Sequence, residues 1–303
     1  MPEGPEVRKY ADALDAALTG RTLISLEART KGAHKWLEQN AARLEGRRVE
    51  RVISHGKHLL GYIEGNFFFH SHLMMWGRWQ TFGPTTGRHK SKLIELPEKD
   101  RRERARIVVE GAAAILLSAP IFNAGAGDPY KQIEILGTLG PDALPYHGPF
   151  KRAEFLRRLH EHNDEMIGAA LLNQSIVAGI GNYLRAEVLF ACKLNPWRAV
   201  GELTQRNLSC LSKTIPQLTR DAYQRGATAA EADRARMASD PSLVYQPGRE
   251  YGTRHLVFRR TNLPCLRCGE KIRQLRQKTI QTQEDKQERT RIVYFCAKCQ
   301  GTD

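Results

Sequence analysis

Two cysteine pairs near the C-terminus decide the fold of this end of the chain. Residues 265–268 (CLRC) and 296–299 (CAKC) are separated by a spacer of 27 residues. Each Cys-x-x-Cys pair can direct two thiolates at one ion, and two pairs complete a tetrahedron. The pattern predicts one structural Zn²⁺ ion, with unpaired loop thiols as the alternative. The predicted ligands are Cys265, Cys268, Cys296 and Cys299.

The spacer between the cysteine pairs is longer than the usual spacing of about 15 to 20 residues. We therefore expect a long β-hairpin, with residues 274–289 as its polar, extended tip. Arg291 lies five residues before Cys296, on the returning strand. A rigid hairpin could present its guanidinium to a phosphate in bidentate fashion. An ordinary surface arginine is the alternative.

The other end of the chain, residues 1–6 (MPEGPE), predicts a nucleophile. Removal of Met1 would leave Pro2 as a secondary amine, whose attack on a carbonyl-like carbon can give only an iminium. An α-amine has a pKa of about 7.7–8.0, against about 10.4 for lysine, so it is a usable nucleophile near neutral pH. Glu3 is a potential general acid or base, and Glu6 is within reach. The alternative is an ordinary helix start, where Pro and Glu are favoured.

Composition and charge indicate the class of partner. The 303 residues carry 47 Lys and Arg against 33 Asp and Glu, a net charge of +14. This excess favours a polyanion, either nucleic acid or an anionic membrane. No apolar stretch approaches the roughly 20 residues of a membrane span, and no signal-peptide pattern is present. We expect a soluble, cytoplasmic protein, and in that reducing compartment the Cys-x-x-Cys pairs favour metal ligands over disulfides. Cys192 and Cys210 lie within apolar helical patterns and are expected to be inert core thiols.

The periodicity of the chain predicts two differently built halves. Residues 5–18 have the apolar spacing of a helix. Short β-rich runs punctuated by glycines follow, at residues 48–55, 59–63, 66–70, 106–110 and 113–117. This half should be a β-sandwich or barrel with one leading helix. Glycine and proline in residues 137–150 predict an interdomain hinge, after which helical patterns return. The polar residues 227–250 are expected to form a mobile loop.

Two glycines interrupt the apolar helical pattern of residues 173–190 (NQSIVAGIGNYLRAEVLF). Gly179 and Gly181 allow a tight backbone turn and a close approach to a ligand. Asn182 then opens the second helix. A helix N-terminus beside a glycine turn can bind phosphate, whereas a helix hairpin with Asn182 as a simple N-cap is the alternative.

Taken in order, these motifs resemble the formamidopyrimidine-DNA glycosylase/endonuclease VIII family of base-excision repair. The resemblance rests on residues 2–8 (PEGPEVR), the Gly56-Lys57 pair, residues 179–182 (GIGN) and the ribbon at 291–300, and it covers nearly the whole chain. It implies a multidomain α+β fold. The expected parts are an N-terminal β-sandwich catalytic domain with a leading helix (1–136), the hinge (137–150), a helix-two-turn-helix DNA-binding domain (151–260) and a zinc-ribbon hairpin (261–303).

The resemblance also implies an activity, in which a damaged base is flipped out of double-stranded DNA. Pro2 would attack C1′ and form a Schiff base, which drives β- and δ-elimination, with Glu3 in acid–base steps. Lys57, on a predicted hairpin turn, would contact phosphate at the lesion and assist catalysis. Further DNA contacts are implied for Glu6, Asn182 and Arg291. The net charge would supply affinity without sequence preference. We expect a nucleoid-associated monomer that makes no membrane contact.

The branch of the family is indicated by shorter segments. Gly4, residues 182–187 (NYLRAE) and residues 255–260 (HLVFRR) are similar to the endonuclease VIII branch, which favours oxidised pyrimidines. The purine branch carries an arginine loop that fills the gap left by the flipped base, and the matching residues 118–123 (SAPIFN) lack that arginine. The candidate wedges are instead Met74, Met75 and Trp76, with core packing as their alternative.

Two other functions remain open at this point. One is an oxidised-purine glycosylase of the same family, acting on formamidopyrimidine or 8-oxoguanine. The other is a non-catalytic zinc-ribbon protein that binds damaged DNA, because charge and zinc alone would explain binding.

Overall fold

The structure, a computed structural model, describes residues 2–83, 96–245, 250–279 and 289–301. The chain forms two compact units, Met1–Thr138 and Leu139–Asp303. In the first unit the helices are α1 (Gly4–Leu18), α2 (Lys31–Leu44), α3 (Pro129–Gln132) and α4 (Glu134–Thr138). Its strands are β1 (Leu23–Ala28), β2 (Val49–His55), β3 (His58–Ile63), β4 (Phe67–His72), β5 (Arg78–Phe82), β6 (Glu103–Val109), β7 (Ala112–Leu117) and β8 (Ile121–Ala126).

Two four-stranded antiparallel sheets make up the first unit. Their strand orders are β1-β6-β7-β5 and β2-β3-β4-β8. Helix α1 buries Val7 and Leu14 in the same apolar core as Phe69, Ile107 and Phe122 from the two sheets. The predicted N-terminal β-sandwich with its leading helix is therefore confirmed, and the predicted strands are present with small shifts at their ends.

Helix α2 corrects the prediction of a single helix in this half. It buries only Ala33, Leu37 and Leu44, and it packs against β1 and β8. So narrow an apolar stripe is a weak helical signal in a polar segment. Strands β1, β5 and β8 were likewise not predicted.

The second unit is helical and ends in a hairpin. Its helices are α5 (Arg152–His160), α6 (Ile167–Ala170), α7 (Asn182–Ala191), α8 (Gln205–Arg225), α9 (Glu231–Ser239) and α10 (Ala297–Gln300), and its strands are β9 (Arg273–Thr279) and β10 (Arg289–Phe295). Helix α8 starts at a capping box between Thr204 and Asn207, and it ends at Gly226, whose φ is +69°. Leu184 of α7 and Leu211 of α8 belong to one core. The helical domain expected from the sequence is confirmed.

The expected loop at residues 227–250 is wrong, because part of it folds as α9. This helix buries a single apolar side chain, Met237, which packs with Ala229 and Leu243. One buried residue leaves almost no periodic pattern in the sequence, so the helix could not be predicted there.

Strands β9 and β10 form the predicted antiparallel hairpin, with Thr279 opposite Arg289 and Arg273 opposite Phe295. Most of the predicted tip, residues 280–288, lies outside the described residues. The predicted domain bounds, including a separate ribbon at 261–303, stay predictions. In the described part of the chain, no helix has the length and apolar character needed to cross a membrane.

A disulfide joins Cys192, at the end of α7, to Cys210 in α8. Our expectation of two inert core thiols was therefore wrong. The packing of α7 on α8 brings the two Cα atoms to 5.8 Å, within the range that a disulfide spans. Residues far apart in a helical pattern give no sign of this proximity.

Candidate active site

The N-terminal segment is fixed by a capping box at the start of α1. Glu3 is the N-cap residue, and its backbone N–H donates to Glu6 Oε2 at 2.9 Å. Glu3 is buried and Pro2 is half-buried. This capping box satisfies backbone N–H donors at the start of the helix, as the alternative of an ordinary helix start requires. The catalytic roles of Pro2 and Glu3 stay predictions.

Lys57 lies on a two-residue turn between β2 and β3, as predicted. His55 and His58 pair across the hairpin, so Gly56 and Lys57 are the turn residues. Gly56 has a φ of +57°, and a positive φ with glycine at the first position is typical of a type II′ turn. Lys57 is buried, and β2 packs against α1. The turn therefore holds a buried lysine at the end of the strand against which α1 packs.

Three histidines beside this turn were missed in the sequence. His58 Nδ1 lies 2.9 Å from His70 Nε2, and Asn123 Nδ2 lies 3.0 Å from His70 Nδ1. His72 Nδ1 accepts the Met74 N–H at 3.1 Å. The register pairs His58 with His72 and His70 with Asn123, so these side chains share one face of the sheet. His70 and His72 stand two apart in a strand, and this spacing is the signal that could have found the cluster.

Burial sets the charge state of these histidines. It lowers the pKa of His58 to about 2, that of His70 to about 3 and that of His72 to about 4. The positive charge that would form on a neighbouring histidine lowers the pKa values of His58 and His70 further, and the charge of Lys57 lowers those of His58 and His72. The imidazoles are therefore neutral near pH 7 and hold their hydrogen bonds as uncharged groups.

The three candidate wedges lie together on an exposed turn between β4 and β5. Met74, Met75 and Trp76 are all exposed, and Trp76 retains 78% of its accessible surface. Gly77 N–H donates to Leu73 O at 2.8 Å and closes this turn. The core-packing alternative is therefore wrong. Their part in filling DNA stays a prediction.

In the second unit, Asn182 is the first residue of α7, and Gly181 is its N-cap. The alternative of Asn182 as a simple N-cap is therefore wrong. The preceding turn is held by Gln174, which accepts the Gly179 N–H at 3.0 Å and donates to Ile180 O at 2.9 Å. Asn182 Oδ1 accepts a hydrogen bond from Arg185 Nη2 at 2.5 Å.

Arg291 is exposed on β10, directly opposite Gln277 of β9. Its neighbour Ile292 accepts a hydrogen bond from Arg185 Nη2 at 2.7 Å through its backbone oxygen. Arg185 thus brings Asn182 and the strand that carries Arg291 together, and the sequence interpretation had given it no role.

The four predicted zinc ligands converge at the base of the hairpin, where their sulfurs all lie within 4.8 Å of one another. The Cys265–Cys299 and Cys268–Cys296 sulfur distances are 3.9 and 3.5 Å. Four bonds of about 2.3 Å in a tetrahedron put sulfurs roughly 3.8 Å apart, so these residues fit one metal ion. Burial raises the pKa of the Cys299 thiol to about 11. Metal binding must therefore displace protons here.

Known protein families and curated proteins match this chain over most of its length. Two family models match, the formamidopyrimidine-DNA glycosylase N-terminal domain over residues 1–114 and the H2TH domain of the same enzyme over residues 139–233. Endonuclease 8 of Pectobacterium carotovorum is 28% identical over 300 residues, which cover 99% of this chain and 100% of the relative. Formamidopyrimidine-DNA glycosylase of Thermus thermophilus is 29% identical over 307 residues, with 99% of both chains covered.

Solved structures show the same fold. The Lactococcus lactis Fpg in complex with DNA containing an abasic site has a TM-score of 0.72 at 21% identity, covering 98% of this chain and 99% of that one. MutM in complex with DNA containing carbocyclic 8-oxo-G has a TM-score of 0.74 at 22% identity, covering 99% of each chain. The chain therefore belongs to the formamidopyrimidine-DNA glycosylase/endonuclease VIII family of base-excision repair enzymes.

Proposed function

We propose that this chain is a bifunctional DNA glycosylase/AP lyase that removes oxidised bases, pyrimidines above all, from double-stranded DNA. The observation that carries the proposal is the position of Pro2, directly before the N-cap residue of α1, whose backbone N–H is held by Glu6. Once Met1 is removed, the Pro2 nitrogen attacks C1′ of the flipped nucleotide. The glycosidic bond breaks and the base leaves with its electron pair, taking up a proton.

The covalent intermediate then drives strand cleavage. When the bond from C1′ to the ring oxygen breaks, an iminium forms between the Pro2 nitrogen and C1′. Glu3 supplies the proton to the ring oxygen. The iminium acts as an electron sink for loss of a C2′ proton and expulsion of the 3′ phosphate. A second elimination expels the 5′ phosphate. Water then adds to C1′ of the remaining iminium, and the C–N bond breaks to release the sugar remnant as an aldehyde and the free amine of Pro2.

The other residues hold the substrate. Lys57 contacts phosphate at the lesion, and Glu6 helps to orient the damaged nucleotide. Asn182 and Arg291 contact the phosphates around the abasic site, and the net charge of +14 supplies salt-dependent affinity. The enzyme acts as a monomer. Because an all-thiolate tetrahedral set favours Zn²⁺, we assign that ion to the four cysteines.

The preference for pyrimidines rests on the segments at 182–187 and 255–260 and on the arginine missing from 118–123. The oxidised-purine alternative keeps one specific support. The formamidopyrimidine-DNA glycosylase of T. thermophilus matches this chain as well as the endonuclease 8 of P. carotovorum does, at 29% against 28% identity. Cleavage of thymine glycol against 8-oxoguanine opposite cytosine, at equal enzyme concentration, separates the two.

Borohydride trapping tests the mechanism, since it reduces the iminium to a stable protein–DNA bond. We expect an adduct with a duplex carrying one oxidised pyrimidine, using protein whose N-terminal Pro2 has been verified by mass spectrometry. Pro2→Gly, or a short extension ahead of Pro2, should abolish the adduct. A Pro5→Ala variant, changed in the same helix start but with the Pro2 amine intact, is the matched control. Full strand cleavage by the extended protein would exclude Pro2 as nucleophile, and tight binding without cleavage would favour a damage-binding protein.

A further inference from the structure

Arg185, in the first turn of α7, is fully buried, and both terminal nitrogens of its guanidinium donate hydrogen bonds. Its Nη2 donates to Asn182 Oδ1 at 2.5 Å and to Ile292 O at 2.7 Å. Its Nη1 donates to Gly168 O at 3.1 Å and to Gln277 Oε1 at 3.4 Å. A buried guanidinium needs such acceptors, because a buried charge without them is strongly unfavourable. This one reaches three separate elements of the second unit and Asn182.

The contact with Arg185 fixes which way the Asn182 amide points. A guanidinium has donors and no acceptor, so only the carbonyl oxygen of the amide can face it. The amide –NH₂ of Asn182 is then directed to the other side. A phosphate accepts hydrogen bonds and donates none at neutral pH, so the –NH₂ is the end that can bind it. The opposite amide orientation would set two donor groups against each other beside a buried charge.

The same guanidinium also fixes the strand that carries Arg291. Its bond to Ile292 O holds β10 at the residue next to Arg291. Residues directly opposite in an antiparallel pair share a face, so Arg291 projects on the same side as Gln277. Gln277 is buried and donates to Pro196 O at 2.9 Å, which locks that face of the hairpin against the helical part of the unit.

We propose that Arg185 is a positioning residue of the phosphate-binding site, which turns the Asn182 amide donors outward and sets the strand of Arg291 beside them. The proposal rests on the proposed function for its ligand, a phosphate of damaged DNA. It extends that function, because Arg185 acts without touching the DNA.

The test is the affinity for a duplex carrying one tetrahydrofuran abasic analogue, measured by fluorescence anisotropy. Arg185→Met removes every donor, and we expect it to weaken binding by about tenfold or more. Adding Asn182→Ala to Arg185→Met should cost little further, because the amide has already lost its orientation. Arg185→Lys should restore part of the loss. Arg225→Met removes an equal charge from the far end of α8, where Arg225 pairs with Asp221, and serves as control.

Asn182→Asp keeps the test decisive if Arg185→Met does not fold. Aspartate still accepts from Arg185 but presents a negative oxygen where the amide donors stood, so it should bind more weakly than Asn182→Ala. Binding of Asn182→Asp at the level of the unchanged protein, or additive losses in the double variant, would overturn the proposal. The abasic analogue requires no chemistry at Pro2. If the protein forms no borohydride adduct but shows this order of affinities, the proposed glycosylase function is wrong and the proposed role of Arg185 stands.

Discussion

The backbone N–H of Glu3 donates to the carboxylate of Glu6 at 2.9 Å. That N–H belongs to the peptide group that joins Pro2 to Glu3, so the hydrogen bond restrains the carbonyl side of Pro2. Rotation about a single Pro2 backbone bond is all that remains to place its nitrogen. The proposed nucleophile is thus restrained through its own backbone, by the side chain of Glu6 in the helix cap.

Replacement of Glu6 should therefore affect stability and chemistry together. Glu6→Ala removes the acceptor for the Glu3 N–H, and loss of such a cap costs about 1 kcal/mol of unfolding free energy. Glu6→Gln keeps a carbonyl oxygen at the same reach. We expect thermal unfolding and borohydride trapping to fall for alanine and to stay closer to the unchanged protein for glutamine. Equal trapping by both variants would show that the cap does not position Pro2.

The turn that carries Lys57 gives a second prediction. Gly56 and Gly46 both have a positive φ, +57° and +77°, and they lie near opposite ends of β2. Alanine at either position should cost about 1–2 kcal/mol of stability, because its Cβ disfavours this backbone conformation. We expect Gly56→Ala also to lower trapping by displacing Lys57, whereas Gly46→Ala should trap normally. The assay is run well below both melting temperatures, and equal losses in both variants would count against a role for Lys57.

Motifs that are defined by the spacing of neighbouring residues could be predicted from the sequence. Contacts between residues that only folding brings together could not. The cluster of four cysteines, the Lys57 turn and the start of α1 follow from local spacing. The partners of Arg185 lie far along the chain from it, with Ile292 an example, so no local pattern connects them. The same holds for Glu187, a buried carboxylate that accepts the backbone N–H groups of Val257 and Phe258 at 2.8 and 2.9 Å.

Two tryptophans close together in sequence should behave oppositely. Trp76 is 78% exposed, whereas Trp79 is 5% exposed and donates to Ser71 Oγ at 3.1 Å. Trp76→Ala should leave the unfolding free energy within about 0.5 kcal/mol, and Trp79→Ala should lower it by about 3–5 kcal/mol. If Trp76 fills the space left by a flipped base, its removal should slow trapping on duplex more than on single-stranded substrate. A similar loss on both substrates would argue against the wedge.

Thiol counting separates the two roles of the cysteines. With four free cysteines and one disulfide, denatured protein treated with chelator should expose four reactive thiols, and six after reduction. Cys268→Ser should lose the metal. Cys192→Ser with Cys210→Ser should retain one zinc per chain and lose about 3 kcal/mol, the value for a loop of this size. Six reactive thiols before reduction would contradict the disulfide.

The buried histidines predict how stability depends on pH. Folding lowers the pKa values of His58, His70 and His72 from 6.5 to about 2, 3 and 4. Below pH 6.5 the unfolded chain therefore binds more protons than the folded chain, and the free energy of unfolding falls as the pH is lowered. Above pH 6.5 both forms are neutral and this stabilisation is complete.

Between pH 6 and pH 4 each such histidine contributes a slope of up to about 1.4 kcal/mol per pH unit. His70→Gln should remove one of these slopes, whatever its effect on stability at pH 7. His34→Gln, the same replacement at an exposed position on α2, is the matched control. Urea unfolding at pH 7.5, 6, 5 and 4.5 measures the difference. If the free energy of unfolding falls equally steeply with decreasing pH in His70→Gln and in the unchanged protein, His70 takes up a proton in the folded state.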